Sequence, residues 1–291
     1  MARLFPRLAA LVAFGAAGDA ASGPLLGSLR VENVEVPLAV GALAPRFSWV
    51  TGGAQENYRI VATSGSGGVL WDSGTTTSFE SSMVQWSAAP PPPDTDVFWT
   101  VSVTLTGVGL VSASSYFSTA PAPPLPGIWI GGFDTLRASL FLDAAPVLRA
   151  RLHIVGVGCY HAYVNGVRVS TELSPGFGHA PNARSPYDTY DVARLLTPGG
   201  GESVVGIRLG SCKLGYVGQY CNDTATACNA AWALLSVEQS GGNTTTLASG
   251  ATWLGANGPI LYQHLYNGEL FDARLEAPGW DRPGFNATVP W

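Results

Sequence analysis

The run Val97-Phe-Trp-Thr-Val-Ser-Val-Thr-Leu105 places an apolar residue at every second position, and nowhere in the 291 residues does a window of a dozen keep a helical period. A period of two marks a strand with one face in a core, so an all-β chain is the reading from which the rest follows. Arg46–Val50 and Tyr58–Thr63 are further alternating or β-branched runs, separated by Gly-, Ser- and Pro-rich turns at the spacing of a β-sandwich. Pro90–Pro93 cannot sit in a central strand and predicts a loop before the Val97 strand. Residues 25–118 therefore read as one sandwich. Residues 119–126, ending in Pro-Ala-Pro-Pro-Leu-Pro, read as a stiff linker. Residues 127–291 read as a second β-domain, with strands at Arg149–Val155, Tyr160–Val169, Val204–Leu209, Trp232–Val237 and Ala251–Leu254. Asn165-Gly166 is a tight-hairpin signal, Asp191–Leu196 predicts one helical turn, and a jelly-roll sandwich is the expected architecture.

Charge and processing signals narrow the function. Only 12% of residues are charged and the net charge is −5, which excludes a basic nucleic-acid surface. Arg3 and Arg7, the apolar run Leu8–Ala17 and the small residues of Gly18-Asp19-Ala20 form a secretory signal over residues 1–20. The apolar run is half the length a membrane span needs, so no membrane association is expected. Asn222, Asn243 and Asn286 each open a glycosylation triplet, which agrees with a secreted chain. The four cysteines, Cys159, Cys212, Cys221 and Cys228, would be oxidised outside the cell. Of three possible connectivities, Cys159–Cys212 with Cys221–Cys228 is the expected one. Their spacing matches no zinc module.

Catalytic signatures are missing: the chain has no phosphate loop, no HExxH and no GxSxG elbow. Glu269, Asp272, Glu276 and Asp281 supply carboxyl groups of the kind a glycosidase needs, but such clusters usually form solvated faces or local ion pairs, and they are not assigned.

Several collinear segments carry a resemblance. Ala150-Arg-Leu-His-Ile-Val-Gly-Val-Gly-Cys-Tyr-His-Ala-Tyr-Val-Asn-Gly-Val-Arg-Val169, Ser174-Pro-Gly-Phe177 and Tyr187-Asp-Thr-Tyr-Asp-Val192 resemble the N-terminal β-sandwich module of bacterial-type α-L-rhamnosidases, glycoside hydrolase family 78. Gly258-Pro-Ile260, Tyr266–Glu276, Gly279-Trp280 and Pro283-Gly-Phe285 are similar to the closing segment of that module. Upstream, Leu29–Glu32, Pro45-Arg-Phe-Ser-Trp49, Leu70-Trp-Asp-Ser-Gly74 and Phe98-Trp99 resemble the immunoglobulin or fibronectin III-like domain that precedes it. The resemblance covers about residues 25 to 291.

In that family the catalytic acid and base reside in an (α/α)6 barrel that follows these modules. The sequence stops at Trp291, so no catalytic residue is carried over and whether the chain is an enzyme is left open. The resemblance implies a non-catalytic module that contacts rhamnose-containing glycans, with calcium as a possible helper. Two alternatives stand beside it: the front part of a complete secreted α-L-rhamnosidase, and a structural or adhesion pair of sandwiches without sugar affinity. A sugar site needs an aromatic or apolar surface and converging polar groups, and calcium needs six to eight oxygens. Candidates for the glycan are Tyr160, Tyr163, Asn165, Tyr187, Tyr190 and Tyr216, and for calcium Asn182, Asp188 and Asp191. Tyr160 and Tyr163 fall on opposite faces of a strand, Asn165 suits a type I′ turn, and Asp191 suits a helical cap. Gly210–Thr224, pinned by cysteines, departs from the family's Gly-Asn-Gly-Trp-Tyr pattern; Tyr216 and Tyr220 there either replace the aromatic surface or pack over the disulfide.

Overall fold

In the first unit, which ends at Pro123, the alternation read from the sequence decides which side chains face inward. The structure is a computed structural model that describes residues 25–173, 186–210, 230–264 and 268–286. The strands of this unit are β1 (Leu26–Val31), β2 (Arg46–Thr51), β3 (Gln55–Ser64), β4 (Val69–Asp72), β5 (Thr76–Thr77), β6 (Val84–Gln85), β7 (Asp96–Leu105) and β8 (Gly109–Ser118). They form two antiparallel sheets, β1-β2-β6 and β4-β3-β7-β8, with β5 paired to β3. Val97, Trp99, Val101, Val103 and Leu105 of β7 are fully buried, while Phe98 on the opposite face is exposed. Between the sheets the ring of Phe47 meets those of Trp71, Trp86, Trp99 and Phe117 at centroid distances of 4.9–6.3 Å. The aromatic segments around Phe47, Trp71 and Trp99 thus converge on one core. Pro90–Pro93 lie outside the strands, and Thr119 Oγ1 donates to the Pro92 carbonyl at 2.6 Å. The Ala120 N–H donates to Val40, so both Thr119 and Ala120 are tied to this unit.

The second unit starts at Pro124. Its strands are β9 (Ile130–Gly131), β10 (Thr135–Leu142), β11 (Val147–Val157), β12 (Cys159–Val164), β13 (Val167–Arg168), β14 (Asp188–Asp191), β15 (Gly201–Gly210), β16 (Ala230–Gln239), β17 (Thr244–Ala248), β18 (Leu254–Ala256), β19 (Ile260–His264) and β20 (Gly268–Phe271). One sheet has the order β13-β12-β15-β10-β18 and the other β14-β11-β16-β17, with β9 on β16; β19 and β20 form a separate hairpin. The chain passes from sheet to sheet at nearly every connection, which is the wrapping of a jelly roll. The core between them includes Leu136 and Leu140 of β10, Leu152 and Ile154 of β11, Tyr160 and Val164 of β12, Ile207 of β15 and Leu235 of β16. Both units are all-β sandwiches.

Three local features depart from simple alternation. Asn165 (φ +50°) and Gly166 (φ +80°) form the β12–β13 turn, a backbone state that Gly and Asn tolerate best. Ala193–Leu195 forms a short 3-10 turn where one helical turn was expected. Strand β18 starts at Leu254, because Ala251–Trp253 turns to bury the Trp253 indole, whose Nε1 donates to Ala248. Among the described residues no helix is long and apolar enough to cross a membrane.

Candidate functional site

Gly206 lies at the centre of the outward face of β15, and a Cβ there would sit 2.8 Å from Cζ3 of Trp280. The missing side chain lets the indole lie against the strand, which is why a glycine stands inside this run. Trp280 is 7% exposed and meets the outward-facing Tyr163 ring edge-on at 5.8 Å. The Arg208 guanidinium lies over the same indole, 5.6 Å from the ring.

Trp280 belongs to a strap, residues 277–286, tied down by two charged side chains. Buried Arg137 of β10 donates to the carbonyls of Arg282 and Phe285 and lies 5.2 Å from the Phe285 ring. Glu202 of β15 accepts from the Gly284 N–H at 2.9 Å and from Ser139 Oγ at 2.6 Å, bonds that hold its carboxyl below the usual range. Between the strap and the Gly166 turn is an open depression of about 540 Å³, lined by Arg208, Trp280, Glu276, Asp281 and Arg282. Arg208 makes no ion pair or hydrogen bond within the described residues, and its Nε is buried without an acceptor. Nearby, Asp134 is 7% exposed; burial pushes its carboxyl up, opposed by bonds from the Gly258 N–H and Thr135 Oγ1 and by the Arg208 charge. The depression offers donors, acceptors and the border of an indole, which suits binding a polyol.

The residues singled out from the sequence lie elsewhere, Tyr163 excepted. Tyr160 is 1% exposed; its hydroxyl donates to Asp188 Oδ2 at 2.5 Å and lies 3.0 Å from the Tyr190 hydroxyl. This cluster joins β12 to β14 across the two sheets. Burial, then the neighbouring Asp188, pushes the Tyr160 phenol far above its ordinary value, and burial raises Tyr190 as well. Tyr187 lies edge-on to His153 and 6.0 Å from Trp232. The Asn165 amide donates to the Leu195 carbonyl at 2.8 Å and accepts from the Val204 N–H at 2.8 Å, so its side chain ties the turn to β15 and to the segment after β14. Asp191 pairs with Arg151 at 3.0 Å and accepts from the Ala193 N–H at 3.1 Å, the capping role weighed for it.

Asp188 and Asp191, three residues apart on β14, project from opposite faces, one toward Tyr160 and the other toward Arg151. Their side chains therefore do not converge on one point, and no group of three His, Cys, Asp or Glu side chains placed to hold a metal ion occurs among the described residues. Asn182, Tyr216, Asn222, Cys212, Cys221 and Cys228 lie outside the described residues. Cys159 is disulfide-bonded. Asn243 and Asn286 are exposed. Of the acidic residues near the C-terminus, Asp272 forms a local pair with Arg274 at 2.5 Å, whereas Glu276 and Asp281 line the depression. Sequence reasoning missed Arg208 and Trp280 as a pair; Gly206 inside a strand was the available signal of a close approach.

Comparison with known proteins gives consistent matches. Residues 145–291 match the family described as α-L-rhamnosidase N-terminal domain, and residues 26–122 match the Rha78A-like, N-terminal immunoglobulin domain. An α-L-rhamnosidase of Streptomyces avermitilis is 36% identical over 53% of this chain and 15% of its own length. One from Formosa agariphila is 28% identical over 88% of this chain and 31% of its own length. The structure of α-L-rhamnosidase from Dictyoglumus thermophilum has a TM-score of 0.79 at 22% identity, covering 92% of this chain and 33% of that one. The Streptomyces avermitilis α-L-rhamnosidase complexed with L-rhamnose has a TM-score of 0.77 at 19% identity, covering 90% of this chain and 44% of that one. The chain therefore spans less than half the length of these relatives.

Proposed function

Because the chain belongs to the α-L-rhamnosidase N-terminal domain family, we propose that it is the non-catalytic, glycan-recognising front portion of an α-L-rhamnosidase-like protein, contacting rhamnose-containing glycans at the depression beside Trp280. The observation that carries this reading is Arg208, a guanidinium lying over an indole with no hydrogen-bond acceptor among the described residues, in a depression bordered by Glu276, Asp281 and Arg282. Such a set matches a deoxy sugar, whose C–H and methyl groups seek apolar surface while its hydroxyls need donors and acceptors. The relatives are about three times as long, which favours a second reading in which these two units serve a whole secreted rhamnosidase. In both readings the two sandwiches position glycan rather than cleave it. The proposal also has the chain exported and carrying N-glycans at Asn222, Asn243 and Asn286, with disulfides formed on the way; the exposure of Asn243 and Asn286 supports it.

Calorimetric titration with L-rhamnose and rhamnose-terminated oligosaccharides, with and without calcium, tests the binding. Arg208→Met keeps the stem over the indole and removes the donors, so it is expected to weaken binding about tenfold, the effect of losing a charge-assisted hydrogen bond. Binding that is unchanged in Arg208→Met would overturn this site. Turnover of an aryl rhamnoside by the purified chain would overturn its non-catalytic role.

A further inference from the structure

The first unit carries a depression of its own, of about 420 Å³, between β4 and the arch that connects β5 to β6. Its floor is made by Trp71 and Tyr58, 5% and 7% exposed. The Trp71 Nε1 is bonded to Ser87 Oγ at 3.1 Å, which fixes the indole. Tyr58 is fixed differently, edge-on to Trp49 at 5.3 Å. Although its ring is buried, the Tyr58 hydroxyl bonds to no group among the described residues and is not sealed from solvent, so it opens into the depression.

The arch above this floor is held in place. Gln55 donates from Nε2 to the carbonyls of Ser78 and Glu80, both at 2.9 Å, while its Oε1 accepts from Trp49 Nε1. The Trp49 N–H donates to the Ser81 carbonyl, and the Met83 N–H to Ser48 Oγ. Met83 sits at φ +57°, a strained state for a residue with a side chain, and lines the depression. Strain of this kind persists where the surroundings over-determine it, and it concentrates at ligand clamps. The side chains of Glu80, Gln85 and Thr76 line the rim and make no hydrogen bond among the described residues.

We propose that this depression is a saccharide-binding site of the immunoglobulin-like unit, separate from the one beside Trp280, and that it takes a neutral sugar residue. No lysine or arginine lines it, and Glu80 is its only charged group, so phosphate, sulfate and uronate groups are disfavoured. Tyr58, Gln85 and Thr76 each offer both a donor and an acceptor, which is what a row of hydroxyls requires. Trp71, Met83 and the Tyr58 ring supply the apolar floor for the C–H face. The volume falls in the range of small-molecule sites, and the clamped arch lowers the ordering penalty on binding.

The test is a two-dimensional NMR titration of the full chain with methyl α-L-rhamnoside and methyl β-D-galactoside at about 10 mM, above the Kd of a millimolar site, with sodium glucuronate as the anionic comparison. The expected result is shifts confined to the Trp71 indole and the amides of residues 76–87 with a neutral glycoside, and none there with glucuronate. Tyr58→Phe, which removes only the hydroxyl, and Glu80→Gln are each expected to weaken this binding about three- to tenfold, the effect of one lost hydrogen bond. Arg208→Met is expected to leave it unchanged, so that this site and the one beside Trp280 fail independently. No response of the arch to either glycoside, a response to glucuronate, or affinity unmoved in both variants would overturn the proposal. A proline-rich peptide that shifts the arch where both glycosides do not would also overturn it, since the surface would then read peptide.

Discussion

Replacing Asn165 by Ala separates a turn residue from a ligand contact, two roles that the Asn-Gly pair leaves open. Three effects act together. The Val204 N–H, on a residue with no exposure, loses its acceptor; the Leu195 carbonyl loses its donor; and alanine must hold φ +50°. An orphaned buried group costs about 1–3 kcal/mol, a lost hydrogen bond about 1, and the left-handed backbone about 1–2, so Asn165→Ala should lose about 3–6 kcal/mol. Set against a typical stability of about 5–15 kcal/mol, that is severe. Asn165→Gly removes only the backbone strain from this list and should recover about 1 kcal/mol relative to alanine. Hydrogen exchange read from peptides of β15 resolves the second unit within the intact chain. A loss of about 3 kcal/mol speeds exchange there about a hundredfold. Rhamnose affinity measured on the fraction that remains folded should not change. Asn165→Ala within about 1 kcal/mol of the parent protein, with rhamnose binding abolished, would refute the structural reading and return Asn165 to the glycan.

Three further outcomes follow from the structure. Asp134 has its pKa raised by burial, so the folded state binds a proton more tightly than the unfolded one, and its contribution is greatest at low pH and falls as pH rises through the folded value. Asp134→Asn keeps the acceptor for the Gly258 N–H, so thermal melts should show the variant at least as stable at neutral pH, the advantage vanishing below about pH 4; lower stability at neutral pH would contradict this. Gly206→Ala should cost about 1–3 kcal/mol by driving a methyl into Trp280, and it should weaken glycan binding beside the strap, both readable by denaturation and calorimetry. Asp72, bonded by the Arg59 guanidinium and the Gly74 N–H, is held down to about 2. Its contribution is present at neutral pH and disappears as pH falls toward that value, and Arg59→Gln should move its NMR midpoint up toward the ordinary carboxylate range, the Gly74 bond remaining.

Strand positions were legible because alternation is a local property. Val97–Leu105 needed no knowledge of its neighbours to be read as half-buried, and Tyr160 and Tyr163 separate onto inward and outward faces as their spacing requires. The Asp191 contact is local, to the Ala193 N–H two residues on, whereas the Asn165 side chain reaches the Leu195 carbonyl and the Val204 N–H far along the chain, so of its roles only the left-handed turn position was legible. Thr135–Leu142 carried the same signal, with Leu136, Ala138, Leu140 and Leu142 buried, but Phe141 is apolar and exposed, which blurs the alternation. The Tyr160, Asp188 and Tyr190 cluster is of another kind. It depends on β12 and β14 lying in opposing sheets, and no sequence period encodes which tyrosine meets which aspartate. For the same reason Tyr160 falls into the interior while Tyr187 and Tyr190 are half-buried against their neighbours, whereas Trp280 and Arg208, distant in sequence, come together.

Each proposed site arises where a segment without regular structure is fastened onto a sheet by a side chain that bonds two successive parts of its backbone. Gln55 holds the carbonyls of Ser78 and Glu80, and Arg137 holds those of Arg282 and Phe285. A sheet alone presents a pleated, self-satisfied surface with no concavity, because its backbone groups are paired and its side chains stand perpendicular to it. A fastened segment adds a wall. Fastening by backbone carbonyls also leaves the segment's own side chains uncommitted, which is why Glu80 in one unit and Asp281 in the other border open space. Sugar recognition by such walls would therefore fail at the clamp as well as at the rim. Gln55→Ala and Arg137→Ala should lower affinity by loosening the wall even though neither residue touches the ligand, whereas a direct contact such as Glu80 should alter affinity with the arch intact.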